Sequence, residues 1–364
     1  MPADITASTI NLLYLFDVAE QIDLAALQQA IGGGAAAARF VPKSAAPSYL
    51  QYTTPPVIVD GETVGIGEVQ GFRARLKFFD YGVLSLALTR PFQGGWPELI
   101  ALAQTYMEND ALERDAERAC RGVTGRFAAT MTAGRSTWLS EDYIVIAVTG
   151  LADRPTADEL LARRSDEIAL LVRGERLPLS RQEQEEILRH RLSYLADDLV
   201  VPTWNAAFVY DSDPGAQAAL EIFEFANSQL LEFRYYDDLL DRELGGIYPQ
   251  LGRKARFPTL ASRGYVQAAH QLHALFIEVN EITDRTQNAL KMIGDIYAAR
   301  LFNLVAARLG LSLWKASVEE KLKTLDGINR FAVDQVSIAR GHFLELTIVL
   351  ILVFELILFF MGIM

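Results

Sequence analysis

The chain has a single cysteine, Cys120, among its 364 residues. No intrachain disulfide can form, and four-cysteine zinc sites are excluded. Such a chain suits a reducing compartment. Basic residues are also scarce: 34 Lys and Arg stand against 46 Asp and Glu, giving a net charge of −12 and a pI near 4.9. Phosphate backbones need a basic surface, so nucleic acid is not expected as a partner. The N-terminus, MPADITASTINLLYLF, lacks a positive segment followed by a long apolar run, so it does not read as a secretory signal. The sequence contains no G-x-S-x-G, no Walker A loop and no H-E-x-x-H.

The remaining chemical candidates are thin. Gly65-Ile-Gly67-Glu-Val-Gln-Gly71 resembles a dinucleotide loop with one residue too many, and a turn between short strands is the preferred reading. His270 and His273 share a helical face without a third ligand nearby. Asp237, Asp238, Asp241 and Glu243 form an acidic cluster. It reads as a solvated face, with Arg234 and Arg242 available to pair with it. Cys120 has no histidine close in sequence. No catalytic residue, cofactor or metal site is therefore expected.

What the sequence does have is a closing apolar run, Phe343 to Met364, FLELTIVLILVFELILFFMGIM. Its 22 residues span about 33 Å as a helix, enough for a hydrocarbon core of about 30 Å. A soluble helix this apolar needs protein on every face. The sequence thus predicts one C-terminal transmembrane helix, with the lipid bilayer as a partner. With no signal and nothing beyond the helix, the soluble body is expected on the cytosolic side (the inner membrane in a bacterium). Arg330, Arg340 and His342 agree with that side, while Glu319, Glu320 and Asp334 dilute the signal. Two acids break the run. Glu345 lies near the start. Glu355 lies near mid-bilayer, where a charged acid costs on the order of 2.5–3.5 kcal/mol. Both are candidates for pairing with another membrane helix.

The expected fold class is α+β. Strands near residues 10–16, 57–59, 72–88 and 143–148, with helices at 23–31 and 96–119, give β-α-β-β-α-β over 1–150. That order fits a ferredoxin-like, split βαβ domain. Residues 151–260 read as mainly helical, with a strand near 203–210. Helices are expected at 156–173, 181–198 and 216–243, with a break at Gly245-Gly246. Residues 261–342 read as a helical hairpin or coiled-coil stalk, and 343–364 as the membrane helix. In the stalk, Val318, Leu322, Leu325, Asn329, Ala332, Val336, Ala339 and Phe343 alternate spacings of four and three, a heptad seam. Its partner is either the preceding helix folded back or another subunit.

Several stretches together resemble one family: LLYLFDVAEQIDLAALQQAI (12–31), FFDYGVLSLAL (78–88), the long helical C-terminal third and the closing FLELTIVLILVFELI (343–357). The chain is similar in these to the YagE-type family named for being required for meiotic nuclear division. That resemblance implies an αβ domain, a helical region and a C-terminal membrane helix, with no established catalytic residues. Mitochondrial members are linked to the inner membrane and to support of organellar translation. Leu86-Ala87-Leu88 and Glu345-Leu346 depart from the family pattern. The expected function is a non-enzymatic, membrane-tethered scaffold that forms a homo-oligomer and binds a protein partner. The competing expectations are a channel or transport component with Glu355 in its pore, and a metal-dependent enzyme using the Asp237–Glu243 cluster.

Overall fold

The computed structural model describes residues 4–32, 35–37, 55–66, 68–251 and 296–360. They fall into two compact units. The first holds the described residues up to Tyr235 and from Ile296 to Trp314; the second holds those of 236–251 and 315–360.

A nine-stranded sheet organises the first unit. Its strands are β1 (Ile5–Asp17), β3 (Ala35–Ala37), β4 (Val57–Asp60), β5 (Glu68–Val69), β6 (Phe72–Phe78), β7 (Val83–Gly94), β9 (Ser140–Leu151), β10 (Leu199–Pro202) and β11 (Ala206–Tyr210). They lie in the order β10-β11-β9-β1-β7-β6-β4-β3, with β5 paired to β6. Two short strands, β2 (Gln21–Ile22) and β8 (Met131–Thr132), pair separately. The central four, β9-β1-β7-β6, are antiparallel throughout, and helices follow β1 and β7. This is the strand order of a split βαβ unit. The sheet does not stop at residue 150, however. β11 runs parallel to β9, and β10 pairs with β11. The expected 1–150 boundary is therefore corrected: residues up to 210 complete the same sheet.

β1 is buried on both faces, which explains its near-continuous apolar run. Ile10, Leu12, Tyr14 and Phe16 join one core with residues of α1 (Leu24–Ile31), α2 (Trp96–Met107), α3 (Asp110–Arg126), α4 (Ala157–Arg173) and α5 (Arg181–Arg189). The opposite face is covered by α6 (Asp213–Leu251), whose Phe223 stacks on Tyr143 at 5.3 Å. In α7 (Ile296–Arg308), Phe302 meets Phe225 of α6 at 5.6 Å. The result is helices on both sides of one sheet.

Local chemistry sets the element ends. The Asp23 carboxylate accepts from the Ala26 amide and opens α1. The single helix expected over 96–119 is two helices, because the Asn109 side chain accepts from the Ala111 amide and starts α3 afresh. The helix expected over 181–198 ends at Arg189. The Gly245-Gly246 break does not occur, since α6 continues to Leu251. Within the Gly65–Gly71 stretch, Gln70 (φ +50°) and Gly71 (φ +83°) make a turn that joins β5 to β6.

Gly82, in the β6–β7 turn, has φ +89°, and an added Cβ would lie 1.8 Å from the Ala19 carbonyl oxygen. Gly82→Ala is expected to destabilise the chain by about 2 kcal/mol or more, read as a fall in melting temperature. An unchanged melting temperature would exclude that close approach.

In the second unit, α8 (Leu311–Phe360) lies against α6. Ser317 donates to Asp237 at 2.6 Å, and the Lys321 ammonium lies 2.8 Å from Asp237 and 2.7 Å from Asp241. Leu240 and Leu244 of α6 and Val318, Leu322 and Leu325 of α8 are buried. The side chains of the later seam positions, Asn329, Ala332, Val336, Ala339 and Phe343, lie outside the described ones.

Candidate functional site

The densest polar chemistry lies under α6. In β6, Ala74, Leu76 and Phe78 enter the core shared with α1–α5, so Arg75 and Lys77 project to the other face. Cover on that face increases along the strand, from exposed Arg73 through Arg75 at 25% exposure. Lys77 is 1% exposed, because α6 covers it. The polar positions Glu221, Glu224, Ser228, Glu232 and Tyr235 recur every three or four residues along α6 and make one stripe.

At one end of the stripe, the Lys77 ammonium bonds both Glu221 and Glu224. Arg75 stands 3.8 Å from Glu221 and 3.9 Å from Glu224. Gln217 donates to Glu221 at 3.1 Å. Two cations thus face two carboxylates, and the charge cancels. Burial pushes the Glu224 carboxyl upward, but Lys77 and Arg75 outweigh it and hold it below the ordinary range. In mid-stripe, Tyr81 donates to Ser228 at 2.7 Å and accepts from Gln229 at 3.2 Å, while Ser228 donates to the Phe225 carbonyl. At the far end, Arg135 lies 2.5 Å from buried Asp17 and donates to the Tyr235 hydroxyl at 2.6 Å. Its guanidinium sits 3.7 Å from the Tyr235 ring centre.

A carboxyl with a depressed folded pKa stabilises above its unfolded value, and that contribution disappears as pH falls through the folded one. The melting temperature should therefore drop steeply below about pH 4. Glu224→Gln should flatten that acid limb. An acid limb identical in the variant would remove Glu224 from the account.

The Lys77–Glu224 pair at the centre of the charged end is closed to solvent. Glu224 is 0% and Lys77 1% exposed, so neither reaches a substrate. Cys120 is equally inert: burial, aided by the Glu117 charge, pushes its thiol far above the ordinary value. The arrangement fixes how α6 sits on the sheet.

The sequence candidates fall elsewhere. The acidic cluster is already occupied by cations: Lys321 holds Asp237 and Asp241, and Arg242 pairs with Asp238 at 3.1 Å. Among the described residues no group of three His, Cys, Asp or Glu is placed to hold a metal ion. His270 and His273 lie outside the described residues. Glu345 and Glu355 are both exposed on α8. Around them, every large apolar side chain from Leu344 to Ile357 is 47% to 62% exposed. Among the described residues no single helix is long and apolar enough to cross a membrane. The bent pair Ile296–Arg308 and Leu311–Ile328 passes by length and composition, but Leu301, Phe302, Val305, Val318 and Leu322 are buried as in a core.

A sheet with helices on both faces, one face ion-paired, defines a mixed α+β domain. The chain belongs to the family described as "Uncharacterized protein MJ0711, N-terminal domain", whose model matches residues 7–217. The Uncharacterized protein MJ0711 of Methanocaldococcus jannaschii is 22% identical over 218 residues, covering 60% of this chain and 65% of that relative's length. No solved structure matches significantly. Nothing in these comparisons links the chain to the YagE-type family.

Proposed function

We propose that the chain is a non-enzymatic, membrane-tethered scaffold, with a cytosolic α+β body, a helical stalk and a C-terminal anchor. The observation that carries this reading is the helical stretch 344–357. Its apolar side chains are exposed on every side, where a soluble helix would bury one face. Those fourteen residues span about 21 Å, short of a hydrocarbon core of about 30 Å. The sequence stays apolar to Met364, which makes up the length.

After an alkaline carbonate wash, full-length protein is expected in the membrane pellet, and a chain lacking 341–364 in the supernatant. Full-length protein left in the supernatant would end the reading. Self-association is expected through the stalk and the Glu355 face, because an acid deep within hydrocarbon needs a partner; Glu345, near the start of the run, lies at the edge of that face. By mass photometry in nanodiscs the chain should appear as multiples of its 40.4 kDa mass, and Glu355→Leu should reduce them. A monomer throughout would remove oligomerisation from the proposal. The exposure of Glu355 within the apolar stretch also favours a second reading, a pore ringed by that acid. Conduction in liposomes that Glu355→Gln abolishes would select the pore over the scaffold.

A further inference from the structure

We infer that the first unit carries a divalent-cation site of oxygen donors, formed by Glu113 of α3, Ser140 and Asp142 of β9 and Tyr14 of β1. Nothing in the scaffold reading requires it. The sheet sets the positions. Ser140 and Asp142 are two apart on β9, so both face the α1–α5 side with Ile144, and their Cα atoms stand about 7 Å apart. Tyr14 lies directly opposite Asp142 in the antiparallel pairing of β1 with β9, which puts their Cβ atoms about 4.5–5.5 Å apart. Over this end of the pair passes α3, and the Ser140 hydroxyl donates to Glu113 at 2.9 Å.

Two carboxylates share this place, and among the described residues neither forms an ion pair. The basic side chains of α3 are engaged elsewhere. Arg118 bonds Asp115 at 2.7 Å, and Arg114 lends its charge to the same acid. Arg121 bonds Glu117 at 2.6 Å and lies 4.1 Å from the Trp138 ring centre, while Arg126 donates to the Val64 carbonyl. On β9, Glu141 points to the opposite face, where Arg234 holds it. Burial and then the Glu113 charge push the Asp142 carboxyl upward, opposed only by a backbone hydrogen bond. Asp142 is also exposed, so the site has a mouth. Glu113 sits in the first turn of α3, where the helix dipole favours the ionised acid.

Tyr14 is an independent pointer to a ligand. It is 6% exposed, yet among the described residues its hydroxyl has no hydrogen-bond partner, where a buried hydroxyl ordinarily has one. Burial, then the charges of Asp142 and Glu113, raise its pKa far above the ordinary value. It therefore stays a neutral phenol facing both acids, with lone pairs for an ion or for a water on it. All four donors are hard oxygens, which suit Mg²⁺, Mn²⁺ or Ca²⁺. Mg²⁺ commonly takes only one or two carboxylates and keeps several waters, so a third acid is not required. Charge then selects the valence. An ammonium would answer one carboxylate and leave the other bare, whereas a divalent ion answers both.

The test titrates full-length protein, in an uncharged detergent at neutral pH, with Mn²⁺, and reads the free ion by electron paramagnetic resonance. Saturable binding of Mn²⁺ is expected, with a dissociation constant below about 1 mM. Glu113→Gln and Asp142→Asn should each weaken it at least tenfold, and Tyr14→Phe at least twofold. Glu117→Gln, one turn further along α3 and already paired with Arg121, should leave it unchanged. Asp142→Asn, at the exposed mouth, gives the same readout should Glu113→Gln fail to fold. No saturable Mn²⁺ binding overturns the inference. So does binding that neither Asp142→Asn nor Glu113→Gln weakens, which would be adsorption to the acidic surface at large.

Discussion

Lys77→Met is expected to destabilise the first unit by about 3–5 kcal/mol, among the larger effects available to one substitution. The reason is what it leaves behind. Lys77 bonds both Glu221 and Glu224, and without it these two carboxylates of α6 keep Arg75, nearly 4 Å away, as their cation. A surface pair offers the contrast. Arg118 bonds Asp115 at 2.7 Å but is 77% exposed, and its loss should cost less than about 1 kcal/mol. Removing charge on both sides is a different experiment. Lys77→Met combined with Glu221→Gln and Glu224→Leu should recover most of the loss, because buried pairs often replace well with apolar groups. Thermal melting of the three variants decides the matter. A loss below about 1 kcal/mol for Lys77→Met would mean that the network contributes nothing specific.

Ile351→Lys with Leu352→Lys is expected to release the full-length chain from liposomes. Each lysine placed deep in a membrane helix costs roughly 2.5–3.5 kcal/mol on insertion scales, so the pair shifts partitioning by about four to five orders of magnitude. Both residues are more than half exposed on α8, so neither supports packing within the chain. In a flotation gradient the unmodified chain should rise with lipid and the variant should stay below. Leu177→Lys, at an equally uncovered leucine 76% exposed in the first unit, should float normally. A double-lysine chain that still floats would place the membrane contact elsewhere.

The strands near 10–16 and 143–148 were legible because their apolar runs are long, and the three-residue run 57–59 because Pro55-Pro56 and Asp60-Gly61 mark its ends. The polar stripe was not. The alternation Arg73, Arg75, Lys77 is the pattern of a strand with one wet face, and nothing local says that a helix lies over it. The partners, Glu221 and Glu224, come from the distant α6. A signal did exist there. The stretch ALEIFEFANSQLLEF is apolar around much of its circumference, as a buried helix is, so its glutamates had to be buried with it. Arg75 and Lys77 then become the cations that such acids require. The 1–150 boundary failed for a similar reason, since a parallel pairing of β11 on β9 leaves no mark in either strand. The break in α4 at Arg164 was not legible either, since no proline or glycine announces it.

The central position of β1 has a consequence for synthesis. It leaves the ribosome before either of its neighbours, which begin at Val83 and Ser140. At about 5–20 residues per second, the second neighbour starts to emerge roughly 6–25 s after β1 is finished. Until then at least one edge of a thirteen-residue strand, mostly apolar from Ile10 to Phe16, carries unmatched backbone donors and acceptors, the condition under which chains aggregate. A nascent-chain chaperone that shields this segment would be the natural remedy, and slowing elongation should lower the yield of folded protein.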